Sequence, residues 1–312
     1  MKKTLIALAV LGAAAGVAHA QSNVTIYGVV DTGFIKKSGH DVEMGENVNN
    51  RLGFRGVEDL GGGQKATFEL EQRFKLNNGD NNSGKGYKRN NLDRDLAGLA
   101  NVGLKGDNWG SVKLGRVNEL TTETIRKFDP FYQYGVGSML YGSQRVRGID
   151  NTIRYDSLNW SGFHFGATYS LGQNMDKDSR GKYGNTLKGE GSDNDGYGIM
   201  LGYDNGPLSL VGNWSRLADS KKSSVWNLGA AYRFGPAKVE LLYQQTIDKG
   251  YALGDESTWK SSSTYGSASD IKEKQWLLGL EWKLGPGRLN ASAQWMEVEA
   301  NGTTTNVSDK DI

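Results

Sequence analysis

The side chains able to do bond-making chemistry are few. Of the three histidines, His19 falls in a leader-like segment, which leaves His40 and His164, and there is no cysteine. No G-x-S-x-G elbow is present, so serine hydrolysis lacks its usual nucleophile turn. "GDNNSGKG" at 79–86 has the spacing of a phosphate-binding loop, but Gly86 stands where that motif needs Ser or Thr. Two scattered histidines without cysteine do not make a zinc set. Asp176/Asp178 and Asp193/Asp195 could meet a divalent cation, yet exposed polar loops carry such pairs as solvated groups. The sequence therefore offers no catalytic, cofactor-binding or metal-binding residue. What remains is a regular spacing of arginines, lysines and carboxylates, which can steer ions without bonding to them.

That spacing is clearest in "RLGFRGVEDLGGGQKATFELEQRF", Arg51 to Phe74. Ala66, Phe68, Leu70 and Phe74 share one parity; Lys65, Glu69, Glu71 and Arg73 share the other. A period of two means a strand whose faces meet different surroundings. The pattern recurs at 23–34, 163–171, 196–204, 225–234 and 274–284, with charges kept almost everywhere on the parity opposite to the aromatic and aliphatic residues. Each unit has about 9–11 residues, the length a tilted membrane strand needs.

The connections alternate as well. Short ones hold Gly with Pro or Asn, as in "DNGP" (204–207), "FGPA" (234–237) and "LGPG" (284–287). Long polar ones fall at 36–48, 77–91, 118–149, 172–195 and 248–273, with 217–223 a brief exception. Tight turn, long loop, tight turn is the asymmetry of an outer-membrane barrel, whose turns face the periplasm and whose loops face outside. The expected fold is all-β: a transmembrane antiparallel β-barrel, greasy outside and wet inside. Hydrophobic residues are only 37% and Gly is 44 of 312, which suits a water-filled interior better than a packed core.

"MKKTLIALAVLGAAAGVAHA" has the charged start, short apolar stretch and small-residue end of a secretory signal peptide, giving a leader at 1–20 and a barrel from 21 to 312. Lys2 and Lys3 account for the formal net charge of +2, so the exported chain is neutral and has no electrostatic case for nucleic acid. Thirteen strands are countable by pattern, ending at 288–300, and "NGTTTNVSDKDI" reads as a loop-like tail. Single-chain bacterial barrels close with an even number, so the expectation is a chain cut short at its C-terminus.

"VTIYGVVDTGF", "RLGFRGVEDLGGGQKATFELE", "NVGLKGDNWGSVKLGRV", "FDPF" and "TIRYDSLNWSGFHFGATYSL", in this order, resemble the general diffusion porins of Gram-negative bacteria, nearest the beta-proteobacterial branch. The resemblance implies sixteen strands, a homotrimer in the outer membrane among lipid and lipopolysaccharide, and passive diffusion of small hydrophilic solutes. It also implies that the third long loop, about 118–149, folds inward to narrow the channel. Opposite that loop the family places basic residues, which here match Arg51, Arg116 and Arg154. The loop's own acids are Glu119, Glu123 and Asp129, all at or before Asp129; the family's acids after the Pro-aromatic turn are missing from "FYQYGVGSML". Arg55, Arg73 and Lys113 help the matched arginines outweigh those acids, so the expected selectivity is a modest anion preference. Two other readings stay open: an adhesin or surface receptor made of the long loops, and a barrel enzyme of lipase or protease type, for which His164 shows no partner.

Overall fold

The computed structural model describes residues 23–36, 39–46, 48–79, 96, 98–133, 139, 148–171, 195–217, 222–248, 271–300 and 303–307. The expected leader at 1–20 and most of the long loops lie outside them. The chain opens with β1 (Asn23–Val29), a small hairpin of β2 (Gly33–Ile35) and β3 (Glu43–Gly45), then β4 (Asn50–Gly61) and β5 (Gln64–Phe74). Next come β6 (Ala100–Gly106) and β7 (Gly110–Asn118), a one-and-a-half-turn helix α1 (Leu120–Ile125) and a 3-10 turn (Arg126–Phe128). β8 (Gly148–Asp156), β9 (Phe163–Ser170), β10 (Gly196–Asn205) and β11 (Leu208–Arg216) follow. The chain ends in β12 (Ser224–Phe234), β13 (Ala237–Asp248), β14 (Ile271–Leu284), β15 (Gly287–Ala300) and β16 (Thr303–Val307).

All strands except β2 and β3 join one fourteen-stranded antiparallel sheet in sequence order, from β1 through β4 to β16. Two sequence expectations change here. The strand read as 23–34 stops at Val29, and Phe34 belongs to the separate hairpin, opposite Met44. The tail contributes a fourteenth strand, Thr303–Val307, paired with Met296–Ala300. Its sequence TTTNV carries no greasy parity, so alternation could not reveal it.

Why the chain turns where it does is visible in its four prolines. Pro207, Pro236 and Pro286 each follow a glycine with positive φ, at +56° for Gly206, +57° for Gly235 and +56° for Gly285. Gly supplies the left-handed φ and Pro then fixes a negative one, the sign pattern of a two-residue type II′ hairpin turn that matches strand twist. The fourth, Pro130, lies in the long connection after β7.

The two faces of the sheet are inverted relative to a soluble protein. Leu201 is 63% exposed and Trp295 58%, whereas Glu240 and Asn227 are 0% exposed. Outward rows such as Tyr197–Ile199–Leu201 and Trp276–Leu278 are apolar; the inward rows hold Asn213, Ser215, Gln244, Glu273, Gln275 and Glu281. Among the described residues no helix is long and apolar enough to cross a membrane.

Aromatic residues gather in two outward levels on β9–β15. At the long-loop end Trp214 faces Trp226, Tyr243 faces Trp276, and Trp276 faces Trp295 across the strands. At the short-turn end Phe163 packs on Tyr203 and Tyr232 on Phe234, with ring centroids 4.4 and 4.5 Å apart. Such belts mark the two membrane–water interfaces.

Candidate functional site

The wall has one inward region that breaks the polar rule. Met200, Val211, Ala231, Leu242 and Leu277 sit on the wet parity of β10–β14 and are buried. What buries them is the segment after β7: Leu120, Ile125, Phe128 and Met139 complete the same apolar cluster. Helix α1 lies against β9–β12, and the 3-10 turn against β12 and β13. A helix of six residues has little stability alone, so its position is set by this tertiary seat.

Two glycines cut the seat to shape. A Cβ on Gly229 would fall 2.8 Å from Phe128 Cγ, and one on Gly279 would fall 2.6 Å from Pro130 Cδ. The Phe128-Asp129-Pro130 turn therefore rests directly on backbone. Asp129, fully buried, ties this turn: its carboxylate accepts from the amides of Phe131 (2.8 Å), Gln133 (3.1 Å) and Met139 (3.0 Å). The loop tip is then stapled to the far wall. Lys238 Nζ donates to the Lys127 carbonyl (2.7 Å), and Asn290 Nδ2 to the Pro130 carbonyl (2.6 Å). Tyr132 donates its hydroxyl to Glu281 (3.1 Å) and accepts from Arg288 Nη1 (2.9 Å), whose guanidinium also lies 4.6 Å from the ring centroid. Burial, then the Glu281 charge, push the Tyr132 phenol above its ordinary value, so it stays a donor.

The facing wall carries the charges. Arg51 on β4 stands directly across from Arg73 on β5, a like-charge pair that would repel. Glu71 relieves it, 2.9 Å from Arg73 Nε and 3.9 Å from Arg51 Nη1, and also accepts from the Tyr27 hydroxyl at 3.2 Å. Arg55 lies exposed over the Tyr27 ring, 5.5 Å from its centroid. Lys113 on β7 binds Glu69 at 2.9 Å. Arg154, its cross-strand neighbour on β8, takes Asp156 through Nε and Nη2 and reaches across to Glu123 of α1. Arg116 donates to the Gly98 carbonyl (3.0 Å) and pairs with Asp150. It follows Gly115, whose φ of +128° and close approach to the Ala100 carbonyl, which an added Cβ would strike, allow the bulge in the β7–β8 pairing.

Of the six residues singled out by sequence, Arg154 and Glu123 are brought into direct contact, Arg51 reaches Glu71, and Arg116 reaches Asp150. Glu119 and Asp129 are placed at the loop's root and turn. Glu119 is 1% exposed and accepts from Ser215 Oγ at 2.7 Å and from the Thr121 hydroxyl. Burial disfavours the Glu123 carboxylate, but Arg154, with Arg126 and Lys113, outweighs it and holds this carboxyl below its ordinary value. His164 lies on the inward face beside Gly162 O and Asp204. Alternation put Glu71 on the charged parity but could not pair it with Arg51 and Arg73, and it did not identify Asp150, Asp156 or the Tyr132–Glu281–Arg288 staple, because all depend on which residues become neighbours. Arg145 and Arg147 lie outside the described residues.

An antiparallel wall with apolar outside, polar inside, two aromatic belts and an inward-docked loop defines a membrane β-barrel channel. The particular family follows from comparison: residues 7–311 match the Gram-negative porin family, and the chain belongs to it. It is 31% identical to an outer membrane porin protein of Bordetella pertussis, over 96% of this chain and 86% of that one. It is 34% identical to outer membrane porin protein 32 of Delftia acidovorans, over 87% of this chain and 78% of that one. Among solved structures, the anion-selective porin from Comamonas acidovorans superposes with a TM-score of 0.66 at 28% identity, covering 90% of this chain and 80% of its own. The chain is thus an outer-membrane channel protein of the passive-diffusion type.

Proposed function

We propose that the lumen between the docked loop and the inward faces of β1 and β4–β8 conducts small hydrophilic solutes with a modest preference for anions, and that no step is catalysed. The observation that carries this reading is where the loop's carboxylates are spent. Glu119 and Asp129 are buried in hydrogen bonds at the loop's root and turn, leaving Glu123 to face the arginines. On the wall Arg51, Arg73, Lys113, Arg116 and Arg154 meet Glu69, Glu71, Asp150, Asp156 and the loop's Glu123, and Arg55, over the Tyr27 ring, leaves this group with an excess of one positive charge. Arg51 and Arg73 share the single carboxylate of Glu71. Fixed charges within a Debye length, about 8 Å at physiological salt, decide which ion enters, so this local excess matters although the exported chain is neutral. The anion selectivity of the Comamonas porin points the same way. Zero-current potentials across a planar bilayer under a salt gradient test the sign.

We further propose a homotrimer that packs through the outward faces of β1 and β4–β7. Those rows hold Val24, Ile26, Leu52, Phe54, Leu70, Val102, Leu104 and Leu114, exposed and without Trp or Tyr, whereas β9–β15 carry both aromatic belts. An apolar face lacking interfacial aromatics suits protein contact better than a headgroup boundary. The mass of the folded protein in mild detergent should read three copies; a monomer under all conditions removes the proposal.

A further inference from the structure

The wall on which the loop docks holds more unbalanced positive charge than the wall it faces. On its inward rows Arg233 of β12 stands directly opposite Lys238 of β13, and Lys283 of β14 directly opposite Arg288 of β15. Like charges set across a strand pair repel. Lys238 is offset by Glu240 and by Glu281 at 3.2 Å, and Arg288 by Glu281 at 3.5 Å. The side chains of Arg233 and Lys283 have no ion-pair or hydrogen-bond partner among the described residues, and Arg233 Nη1 is shielded from solvent without an acceptor. Lys127 joins them from the 3-10 turn, which packs on β12 and β13 and whose Lys127 carbonyl is held by Lys238 Nζ at 2.7 Å. The Lys127 side chain is exposed and likewise unpartnered among the described residues. Five cations here meet the two carboxylates of Glu240 and Glu281, an excess of three, against one on the facing wall.

We propose that this shelf binds a small divalent oxyanion, of the sulfate or phosphate type, between the Arg233 guanidinium and the Lys127 ammonium, with Lys283 adding attraction from β14. A guanidinium presents paired N–H donors that match two oxygens of one oxyanion, and an ammonium adds a point charge for a third. β12 and β14 are two strand spacings apart, about 10 Å, which is one Debye length at 0.1 M salt. The three unpartnered cations therefore act together on one ion. A divalent ion lowers the excess to one, the value on the facing wall; a monovalent ion leaves two.

The neighbouring carboxylates do not compete for this role. Glu281 is spent on Lys238, Tyr132 and Arg288. Asp204, two strands from Arg233 on β10, accepts from Ser209 Oγ at 2.6 Å. The shelf lies toward the short turns, since Arg233 and Lys283 each stand two residues before the positive-φ glycine of a turn, Gly235 and Gly285. It is separate from the Arg51–Arg73 pair, which shares Glu71 on the facing wall. The proposal rests on the reading of the lumen as an ion path, but binding is measurable without conduction, so the two can fail independently.

The test is equilibrium dialysis of radiolabelled sulfate against the folded protein in detergent at low chloride, with hydrogen phosphate and acetate as competitors. One sulfate per chain should bind, and hydrogen phosphate should displace it at about tenfold lower concentration than acetate does, the effect of the second charge. R233Q and K127Q should each weaken binding about tenfold, with the sheet intact by circular dichroism, whereas the double variant R51Q/R73Q should keep it. Retention of sulfate by a protein that shows no anion preference in bilayers would leave the shelf standing and remove the selectivity reading alone. No bound sulfate, equal displacement by acetate, binding that survives both R233Q and K127Q, or binding lost in R51Q/R73Q would each overturn the site.

Discussion

Arg154 on β8 and Glu123 on α1 form an ion pair that spans from barrel wall to loop, while the same guanidinium holds Asp156 through two nitrogens. The contact does two things at once. It fixes the root of the loop, and it offsets a cation on the inward face beside that loop.

Replacing Glu123 by Gln separates these effects. Arg154 keeps Asp156, and the apolar seat of Leu120, Ile125 and Phe128 remains, so the loop stays docked. One negative charge about 8 Å from the ion path in a water-like medium is worth ~0.5 kcal/mol. The anion-to-cation permeability ratio should therefore rise about twofold, read from reversal potentials. A fall in that ratio would mean that Glu123 does not face the conducting path.

Acid should reproduce part of that change, and only late. The Glu123 carboxyl is held below its ordinary 4.5, because Arg154, Arg126 and Lys113 outweigh the cost of burial. A depressed folded-state value gives a stabilisation that is complete above the ordinary carboxylate range and is lost as pH falls through the lowered one. Single-channel current should be steady from neutral pH down to 4.5 and become noisier or more anion-preferring below it. A transition centred near neutrality would assign the titration to some other group.

Gly279→Val puts a branched side chain where Pro130 now rests on backbone. Over-packing of this sort costs ~1–3 kcal/mol. The strain is relieved most simply by lifting the Asp129 turn and breaking the Asn290 and Tyr132 staples. Conductance should increase and ion preference weaken, with the sheet intact by circular dichroism. Unchanged conductance would mean that the turn does not limit the channel.

How far these features could be read from sequence varies by element. The outward rows Tyr197–Ile199–Leu201 and Trp276–Leu278 were legible, because membrane strands write their two environments as alternating parity. The Gly206-Pro207, Gly235-Pro236 and Gly285-Pro286 turns were legible too, since their backbone signs require those residues. The polar strand Thr303–Val307 was not, for its only signal is a partner strand. The loop seat was missed because Met200, Leu242 and Leu277 look like errors in the alternation until the loop that covers them is known. The candidate site was half legible. The matched arginines and the loop's acids could be named from the sequence, but composition cannot say that Asp129 is occupied by three amides while Glu123 meets Arg154.

The inversion of faces predicts an asymmetric tolerance to charge. Leu228→Arg, on the exposed lipid side of β12, should cost ~2–4 kcal/mol near the bilayer midplane. Thr67→Arg, on the inward row of β5 with Glu69 and Glu71, should cost little and shift selectivity further toward anions. Unfolding midpoints in lipid vesicles distinguish the two; equal penalties would contradict the assignment of faces.

The most direct test of the proposed anion preference is the zero-current potential of the protein in a planar bilayer separating two potassium chloride concentrations. A wall on which Arg51 and Arg73 share Glu71, faced by a loop whose Glu119 and Asp129 are buried, predicts a potential of the sign set by chloride, reduced when Arg51 and Arg73 are both changed to Gln. A potential of zero, or one set by potassium, would contradict it.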